Sequence, residues 1–183
     1  MLELNNVSKH FVVFIERYIS KDYNILEFGS STGHMSFYLC KKGYHIDLLD
    51  IRKNPIEEVK PIFQKSNINS KFYVEDFLDH KIKYDFLFNS GLIQCLNYDL
   101  QEKFICHAAE LSNRLLLFFP ERENIIEGNS RIGVAGCKEY CTKNISILCK
   151  KYFDTIENNK IDKAVTLSDT NFIVIYGQKI SGD

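Results

Sequence analysis

Apolar residues recur along the chain in two alternating patterns. Helical spacing predicts helices at 7–20, 34–42, 55–65, 98–111 and 138–151. Short apolar runs predict strands at 24–28, 44–50, 71–74, 84–89, 114–119, 153–157 and 171–178. Strands that alternate with helices predict a single α/β domain over residues 1–183, with a mostly parallel sheet covered by helices on both faces. Such sheets bind ligands beyond the carboxyl ends of their strands, so the loops at those ends are the candidate sites.

The first of these loops is Glu27-Phe28-Gly29-Ser30-Ser31-Thr32-Gly33, between the first predicted strand and the second predicted helix. Glycine at a strand-to-helix turn permits positive φ and lets a ligand approach bare backbone. The helix start offers unpaired N–H groups and partial positive charge to an anion. The loop therefore predicts a ligand site, although an ordinary tight turn could use the same glycines.

Two nucleotide-binding motifs do not fit this loop. A dinucleotide fingerprint would place glycines at 29, 31 and 34, where the chain has Gly29, Ser31 and His34. A P-loop needs a Gly-Lys pair, which the sequence does not contain. A dinucleotide-dependent oxidoreductase and a P-loop NTPase are therefore disfavoured.

Residues 25–33 resemble the first motif of the class I S-adenosylmethionine-dependent methyltransferases, an acidic residue followed by alternating glycines. Ser31 stands where the family pattern has its middle glycine, and a group of RNA ribose methyltransferases has a similar loop. The resemblance implies a Rossmann-like doubly wound sheet of seven strands with a C-terminal antiparallel strand. It also implies the cofactor S-adenosylmethionine and the product S-adenosylhomocysteine. The cofactor-binding residues that it implies in this loop are Glu27, Gly29, Ser30, Ser31 and Gly33.

Three later loops extend the resemblance. Asp50 ends the second strand, where the family places the acid that accepts the ribose hydroxyls, and Ile51 follows it. Asp47 is a weaker candidate because it lies within the strand. Asp76 and Phe77 follow the third strand, where an acid would accept a hydrogen bond from the adenine amino group and an apolar side chain would cover the ring.

The fourth loop contains Asn89, Ser90 and Gly91, which the resemblance places along the cofactor beneath the reactive methyl group. The families that methylate the amino groups of adenine and cytosine have Asn/Asp-Pro-Pro-aromatic here. The sequence Asn89-Ser90-Gly91-Leu92 lacks both prolines, which disfavours those families.

Composition narrows the expected partners and location. The net charge is −1 and the basic residues are scattered, so a nucleic-acid partner is not expected. The longest apolar runs have five residues, whereas a membrane span needs about 20. With no signal-peptide pattern at the N-terminus, the expected location is cytoplasmic. The six cysteines have no Cys-x-x-Cys spacing and are expected to be thiols, with no metal site.

No general base is identified by the sequence, so the catalytic residues are left unassigned. His34 is expected to face the methionine end or solvent, and His107 to be a surface or packed side chain. Segment 120–136 is the expected place for substrate contacts, through Glu121, Arg122, Glu123 and Arg131. The first helix could also cover the site, although core packing is its commoner role.

Methyl transfer to a small-molecule or natural-product-like acceptor is the predicted function. Two alternatives stay open at this point. One is a catalytically silent scaffold or binding subunit with the same fold, and the other is an RNA methyltransferase.

Overall fold

The computed structural model describes residues 4–121, 142–162 and 171–180. Within these ranges the helices are α1 (Asn6–Glu16), α2 (His34–Lys41), α3 (Lys53–Lys65), α4 (Tyr98–Leu111) and α5 (Thr142–Tyr152). The strands are β1 (Asn24–Phe28), β2 (His45–Asp50), β3 (Phe72–Val74), β4 (Phe86–Ser90), β5 (Arg114–Pro120), β6 (Thr155–Ile161) and β7 (Phe172–Gln178). Two short 3₁₀ turns occupy Phe77–Asp79 and Ile93–Cys95.

All seven of these strands form one sheet in the order β3-β2-β1-β4-β5-β7-β6. Strands β1 to β5 are mutually parallel, and β7 runs antiparallel between β5 and β6. Strands β2 and β3 are added on one side of β1, and β4 then pairs with the other side of β1, so the strand order reverses between these two neighbours. This topology confirms the predicted Rossmann-like doubly wound sheet with an antiparallel C-terminal strand. It also brings the loops after β1, β2 and β4 to one edge.

The largest difference from the predicted elements is at β6. The apolar pattern ended this strand at residue 157, whereas β6 continues through Asn158, Asn159 and Lys160 to Ile161. Among the described strands β6 lies at the sheet edge and pairs with β7 alone, so polar side chains along it remain in contact with water. Hydrophobic periodicity therefore underestimates the length of an edge strand.

Apolar side chains cover both faces of the sheet. On one face α1 contributes Phe11 and Ile15, both fully buried, and the Phe11 ring stacks on Phe118 of β5 with centroids 4.2 Å apart. On the other face α4 and α5 pack Ile105 and Leu148 against the strands. No helix in the described part of the chain is long and apolar enough to cross a membrane.

Replacing Phe11 with alanine is expected to lower the free energy of unfolding by about 3–5 kcal/mol, because it opens a cavity between α1 and β5. Urea titration measures the change. The control is Val13→Ala on the same helix, where the side chain is 52% exposed and the expected change is within about 0.5 kcal/mol. Equal losses in the two variants would contradict the packing of α1 on the sheet.

Candidate functional site

The loop between β1 and α2 is built on three residues with positive φ. These are Gly29 at +66°, Ser31 at +48° and Gly33 at +59°. A Cβ atom at Gly29 would lie 2.7 Å from Leu92 Cδ2, and one at Gly33 would overlap Leu48. The two glycines are therefore required by close approach as well as by backbone conformation.

Ser31 adopts the same left-handed conformation as the glycines beside it. For an L-residue this region costs roughly 1–2 kcal/mol relative to the right-handed one. Ser31 thus keeps a left-handed backbone that glycine, the family's residue at this position, adopts without a Cβ penalty.

Hydrogen bonds tie the loop to the sheet and to itself. The Ser30 amide donates to the Leu49 carbonyl oxygen at 3.0 Å, and the Gly33 amide donates to the Ser30 carbonyl oxygen at 2.9 Å. The first of these bonds links the end of β1 to the end of β2. The loop is held as part of the sheet edge and leads directly into the first turn of α2.

A cavity of about 330 Å³ opens above this loop. The ends of β1 and β4, the loop after β1, and the starts of α1 and α2 line it, through Asn5, Ser8, Glu27, Gly29, Ser30, Ser31, Thr32, His34, Met35 and Ser90. The Ser30 hydroxyl is buried and has no hydrogen-bond partner within the described structure. Buried polar groups are normally paired, so an unpaired hydroxyl in a cavity wall fits a polar ligand.

Glu27 lies beneath the loop and is almost completely buried. Its carboxyl group accepts a hydrogen bond from the Ser36 hydroxyl of α2. Burial raises the pKa of Glu27 to about 7, because the charged form loses its hydration. Glu27 can therefore carry or release a proton near neutral pH, in the floor of the cavity.

Asp50 is the second buried carboxylate at this edge, with 3% of its surface exposed. It accepts hydrogen bonds from the Ser31 amide at 2.8 Å, the Arg52 amide at 2.9 Å, and the Arg52 side chain through Nε at 3.0 Å and Nη2 at 3.1 Å. Burial acts to raise the pKa of Asp50, but these hydrogen bonds outweigh it and hold the pKa below its usual value. Asp50 is therefore an ionised carboxylate in contact with the glycine loop. Ile51 beside it is 65% exposed.

The two residues predicted after β3 have different surroundings. The Asp76 carboxylate accepts a hydrogen bond from the Leu78 amide at 3.0 Å and caps the 3₁₀ turn. The Phe77 ring is 3% exposed and stacks on Phe28 with centroids 4.2 Å apart. Phe77 thus packs in the core beneath the end of β1, and its contact with an adenine ring stays a prediction.

Asn89 joins the ends of two strands and is fully buried. Its Nδ2 donates to the Phe28 carbonyl oxygen at 2.6 Å, and its Oδ1 accepts from the amides of Leu92 at 3.1 Å and Ile93 at 3.3 Å. These contacts make Asn89 a positioning residue for the loop after β4. Ser90 and Gly91 were predicted to bind the cofactor together with Asn89, and Ser90 lines the cavity. Gly91 has a φ of +84° and donates to the Phe118 carbonyl oxygen at 3.0 Å.

Asn5, Ser8 and Arg52 were not among the predicted site residues, although the first helix was considered as a cover of the site. Asn5 caps α1 by accepting a hydrogen bond from the Ser8 amide at 2.8 Å, and both residues line the cavity. The first helix therefore packs in the core through its apolar face and also covers the site with its N-terminal turn. An Asn-x-x-Ser start before an apolar helix predicts a cap, but not which loop the cap will face.

Of the remaining candidates, one lines the cavity, two have structural contacts, and the others fall outside the described residues. His34 lines the cavity, and its Nδ1 lies 2.5 Å from Thr32 Oγ1. His107 is packed as expected, with Nε2 2.9 Å from the His80 carbonyl oxygen. The Glu121 carboxylate accepts a hydrogen bond from the Asn171 side chain and forms an ion pair with Lys160. The other predicted substrate contacts, Arg122, Glu123 and Arg131, lie outside the described residues, as do Cys137 and Cys141.

Comparison with known proteins extends these observations. The family model described as Tellurite resistance protein TehB matches residues 4–114. No curated protein matches the sequence. Among solved structures, the fold is similar to that of magnesium protoporphyrin IX methyltransferase from Synechocystis PCC 6803 with bound S-adenosylmethionine, at 14% identity and a TM-score of 0.76. That similarity covers 95% of this chain and 78% of the other.

Two further solved structures are described as TehB and as TehB-like. TehB from Haemophilus influenzae is 18% identical with a TM-score of 0.71, over 93% of this chain and 62% of that chain. A TehB-like methyltransferase from Corynebacterium glutamicum is 16% identical with a TM-score of 0.68, over 97% of this chain and 89% of that chain. At these identities the structural likeness establishes the fold, while the family model covers more than half of the sequence. The chain therefore belongs to the TehB family and has the fold of the class I S-adenosylmethionine-dependent methyltransferases.

Proposed function

We propose that this protein binds S-adenosylmethionine at the carboxyl edge of its sheet and transfers the methyl group to a small-molecule acceptor. The observation that carries this proposal is the hydrogen bond from the Ser31 amide to Asp50 at 2.8 Å. It joins an ionised carboxylate at the end of β2 to the loop that forms the cavity wall. Membership of the TehB family supports the same function.

Each part of the cofactor has a chemically suitable group at this edge. Asp50 is the acceptor for the ribose hydroxyls, since an ionised carboxylate forms strong hydrogen bonds with them. Ser30, with its unpaired hydroxyl, and Glu27, in the cavity floor, serve the charged amino-acid end. Ile51 offers an exposed apolar surface beside Asp50 for the adenine ring.

The protein's task in the reaction is alignment and the exclusion of water. S-adenosylmethionine supplies, when bound, a methyl group already activated by its sulfonium. Correct positioning of two reactants can supply roughly 7–11 kcal/mol of the barrier without a covalent catalytic residue. Among the described residues that line the cavity, Glu27 carries a carboxyl group and His34 an imidazole, and the others have no acidic or basic side chain. Glu27 is held beneath the loop by Ser36, so the arrangement suits an acceptor that has an available lone pair at neutral pH and needs no base.

A small acceptor fits the way the cavity is covered. The first turn of α1, through Asn5 and Ser8, lies over the same cavity as the glycine loop. A helix in that position limits access by a large polymer. The family description names tellurite resistance, and one solved relative by fold is named for a magnesium porphyrin acceptor, so tellurite and porphyrins are suitable first acceptors to test.

Replacing Asp50 with asparagine is expected to weaken binding of S-adenosylmethionine and S-adenosylhomocysteine at least about tenfold. A hydrogen bond to a charged acceptor contributes roughly 1.5–3 kcal/mol, and about 1.4 kcal/mol corresponds to a factor of ten. Isothermal titration calorimetry measures both ligands. The matched control is Asp47→Asn in the same strand, where the Lys71 amide and the Tyr84 hydroxyl occupy the carboxylate, and binding should stay within about twofold of the wild type.

The same preparation tests turnover through formation of S-adenosylhomocysteine with tellurite, porphyrins and RNA. Product with a small acceptor and none with RNA is the expected result. Binding of the cofactor without turnover on any acceptor would favour a scaffold protein. Failure of the wild-type protein to bind the cofactor would overturn the proposal itself.

Replacing Ser31 with glycine is expected to keep cofactor binding and to change the free energy of unfolding by less than about 1 kcal/mol. Glycine relieves the left-handed strain at Ser31 but makes the unfolded chain more flexible, so the two effects oppose each other. Urea titration and calorimetry measure stability and binding. The contrasting variant is Gly33→Ala, where the new methyl group overlaps Leu48, and a loss of about 2 kcal/mol or more is expected. A destabilised Ser31→Gly would show that the serine side chain is required in the loop.

Glu27 is expected to make folding stability depend on pH between about 4.5 and 7, the ordinary and the raised pKa of this group. In that window the folded protein binds more protons at Glu27 than the unfolded chain does. The contribution of Glu27 to the free energy of unfolding is therefore fully present below about pH 4.5 and is lost as the pH rises through 7. The slope is up to about 1.4 kcal/mol per pH unit. The measurement is urea denaturation from pH 5 to 8 for the wild type and Glu27→Gln, whose amide still accepts the Ser36 hydroxyl. The variant should gain stability over the wild type as the pH rises, and parallel curves would exclude a raised pKa at Glu27.

A further inference from the structure

We propose that Arg52 competes with the ribose for the carboxylate of Asp50 and so lowers the affinity of the protein for its cofactor. The inference rests on the proposed function, because it takes Asp50 as the ribose acceptor. It assigns a specific role to Arg52, which lies two residues beyond Asp50 and outside the cavity lining.

The hydrogen bonds at Asp50 account for both of its oxygens. Oδ1 accepts from the Arg52 amide at 2.9 Å and from Arg52 Nε at 3.0 Å. Oδ2 accepts from the Ser31 amide at 2.8 Å and from Arg52 Nη2 at 3.1 Å. A carboxylate has about four acceptor positions, and each oxygen here uses one for a backbone amide and one for the guanidinium. A pair of ribose hydroxyls needs the two positions that the guanidinium takes.

The two kinds of contact at Asp50 differ in how easily they are exchanged. The amides of Ser31 and Arg52 belong to the backbone of adjoining loops, so they keep the carboxylate oriented whatever the Arg52 side chain does. The guanidinium presents two N–H groups side by side, one to each oxygen, much as a vicinal diol presents two hydroxyls. The ribose can therefore replace the guanidinium without movement of Asp50.

Exposure shows which partner of the ion pair can leave. The Arg52 side chain is 61% exposed, whereas that of Asp50 is 4% exposed. A released guanidinium is rehydrated at the surface, so the competition is modest, at roughly threefold to fivefold in affinity for an exposed ion pair. The buried carboxylate would lose more if left without a partner, which keeps one of the two competitors in place.

The neighbouring cation offers a matched control. Lys53 pairs with Glu57, with Nζ 3.2 Å from Oε1, and both side chains are largely exposed. Its replacement removes the same charge from the same segment, and its salt bridge does not involve Asp50. A purely electrostatic effect of nearby cations on the cofactor would appear in this variant as well.

The test is calorimetric binding of S-adenosylhomocysteine and of adenosine at pH 8 to the wild type, Arg52→Gln, Arg52→Lys and Lys53→Gln. Adenosine carries the ribose hydroxyls and no charge, so a gain with adenosine isolates the competition from charge effects. We expect Arg52→Gln to bind both ligands about threefold to fivefold more tightly and Lys53→Gln to match the wild type. Arg52→Lys keeps the charge but cannot bridge both oxygens, and should also bind more tightly. The gain should disappear when Arg52→Gln is combined with Asp50→Asn.

Several outcomes would overturn the inference. Weaker binding by both Arg52 variants would make Arg52 a ligand of the cofactor, and equal gains in Lys53→Gln would make the effect electrostatic. If the variants fail to fold, the Arg52 Nε–H resonance of the wild type gives the answer, because adenosine must shift it towards that of a solvent-exposed arginine. An unshifted resonance at saturating adenosine would exclude the exchange. A wild type that binds neither ligand contradicts the proposed function as a whole, whereas binding without these changes contradicts only the role of Arg52.

Discussion

The contact between the Ser31 amide and the Asp50 carboxylate joins the two loops on which the site depends. One loop comes from β1 and the other from β2, and the strands are neighbours in a parallel sheet. Because parallel strands end at the same edge, a carboxylate at the end of one can accept a backbone amide from the loop of the next. The cavity wall and the ionised group beside it are thus positioned by the sheet itself. The left-handed conformation at Ser31 belongs to the loop geometry in which this amide meets Asp50.

The order of elements and the location of the site could be predicted from the sequence because both depend on local patterns. The spacing of apolar residues predicted the helices and strands, and the loops at the carboxyl ends of the strands were then the candidate binding loops. The length of β6 could not be predicted in the same way, since its polar residues are stabilised by pairing with β7 rather than by burial. The contribution of α1 was also missed in part. Its cap residues are polar in any helix of this kind, and the packing of α1 on the sheet, which includes Phe11 on Phe118, brings them over the cavity.

Residues that occupy motif positions divide into groups that face the cavity and groups that support it. Phe77 and Asn89 are both within motif positions, and both are buried in contact with the end of β1. The Phe77 ring packs beneath Phe28, and Asn89 binds the Phe28 carbonyl oxygen, so each positions the loop that starts there. A sequence motif indicates which residue type a position needs, but it does not indicate whether that side chain contacts a ligand. Burial and hydrogen-bond partners supply that distinction.

The absence of an obvious base in the sequence has a physical counterpart in the site. The cavity places hydroxyl groups and a buried acid around the loop, and the acid is held by Ser36 with its pKa raised to about 7 by burial. Such a group can change its protonation state when a charged ligand binds, because its pKa lies near neutral pH. Asp50 has the opposite character, since its hydrogen bonds keep it ionised and directed towards a hydrogen-bond donor. The proposed function therefore gives the two carboxylates different roles, with Asp50 as the fixed charge that meets the ribose and Glu27 as the group whose charge can change.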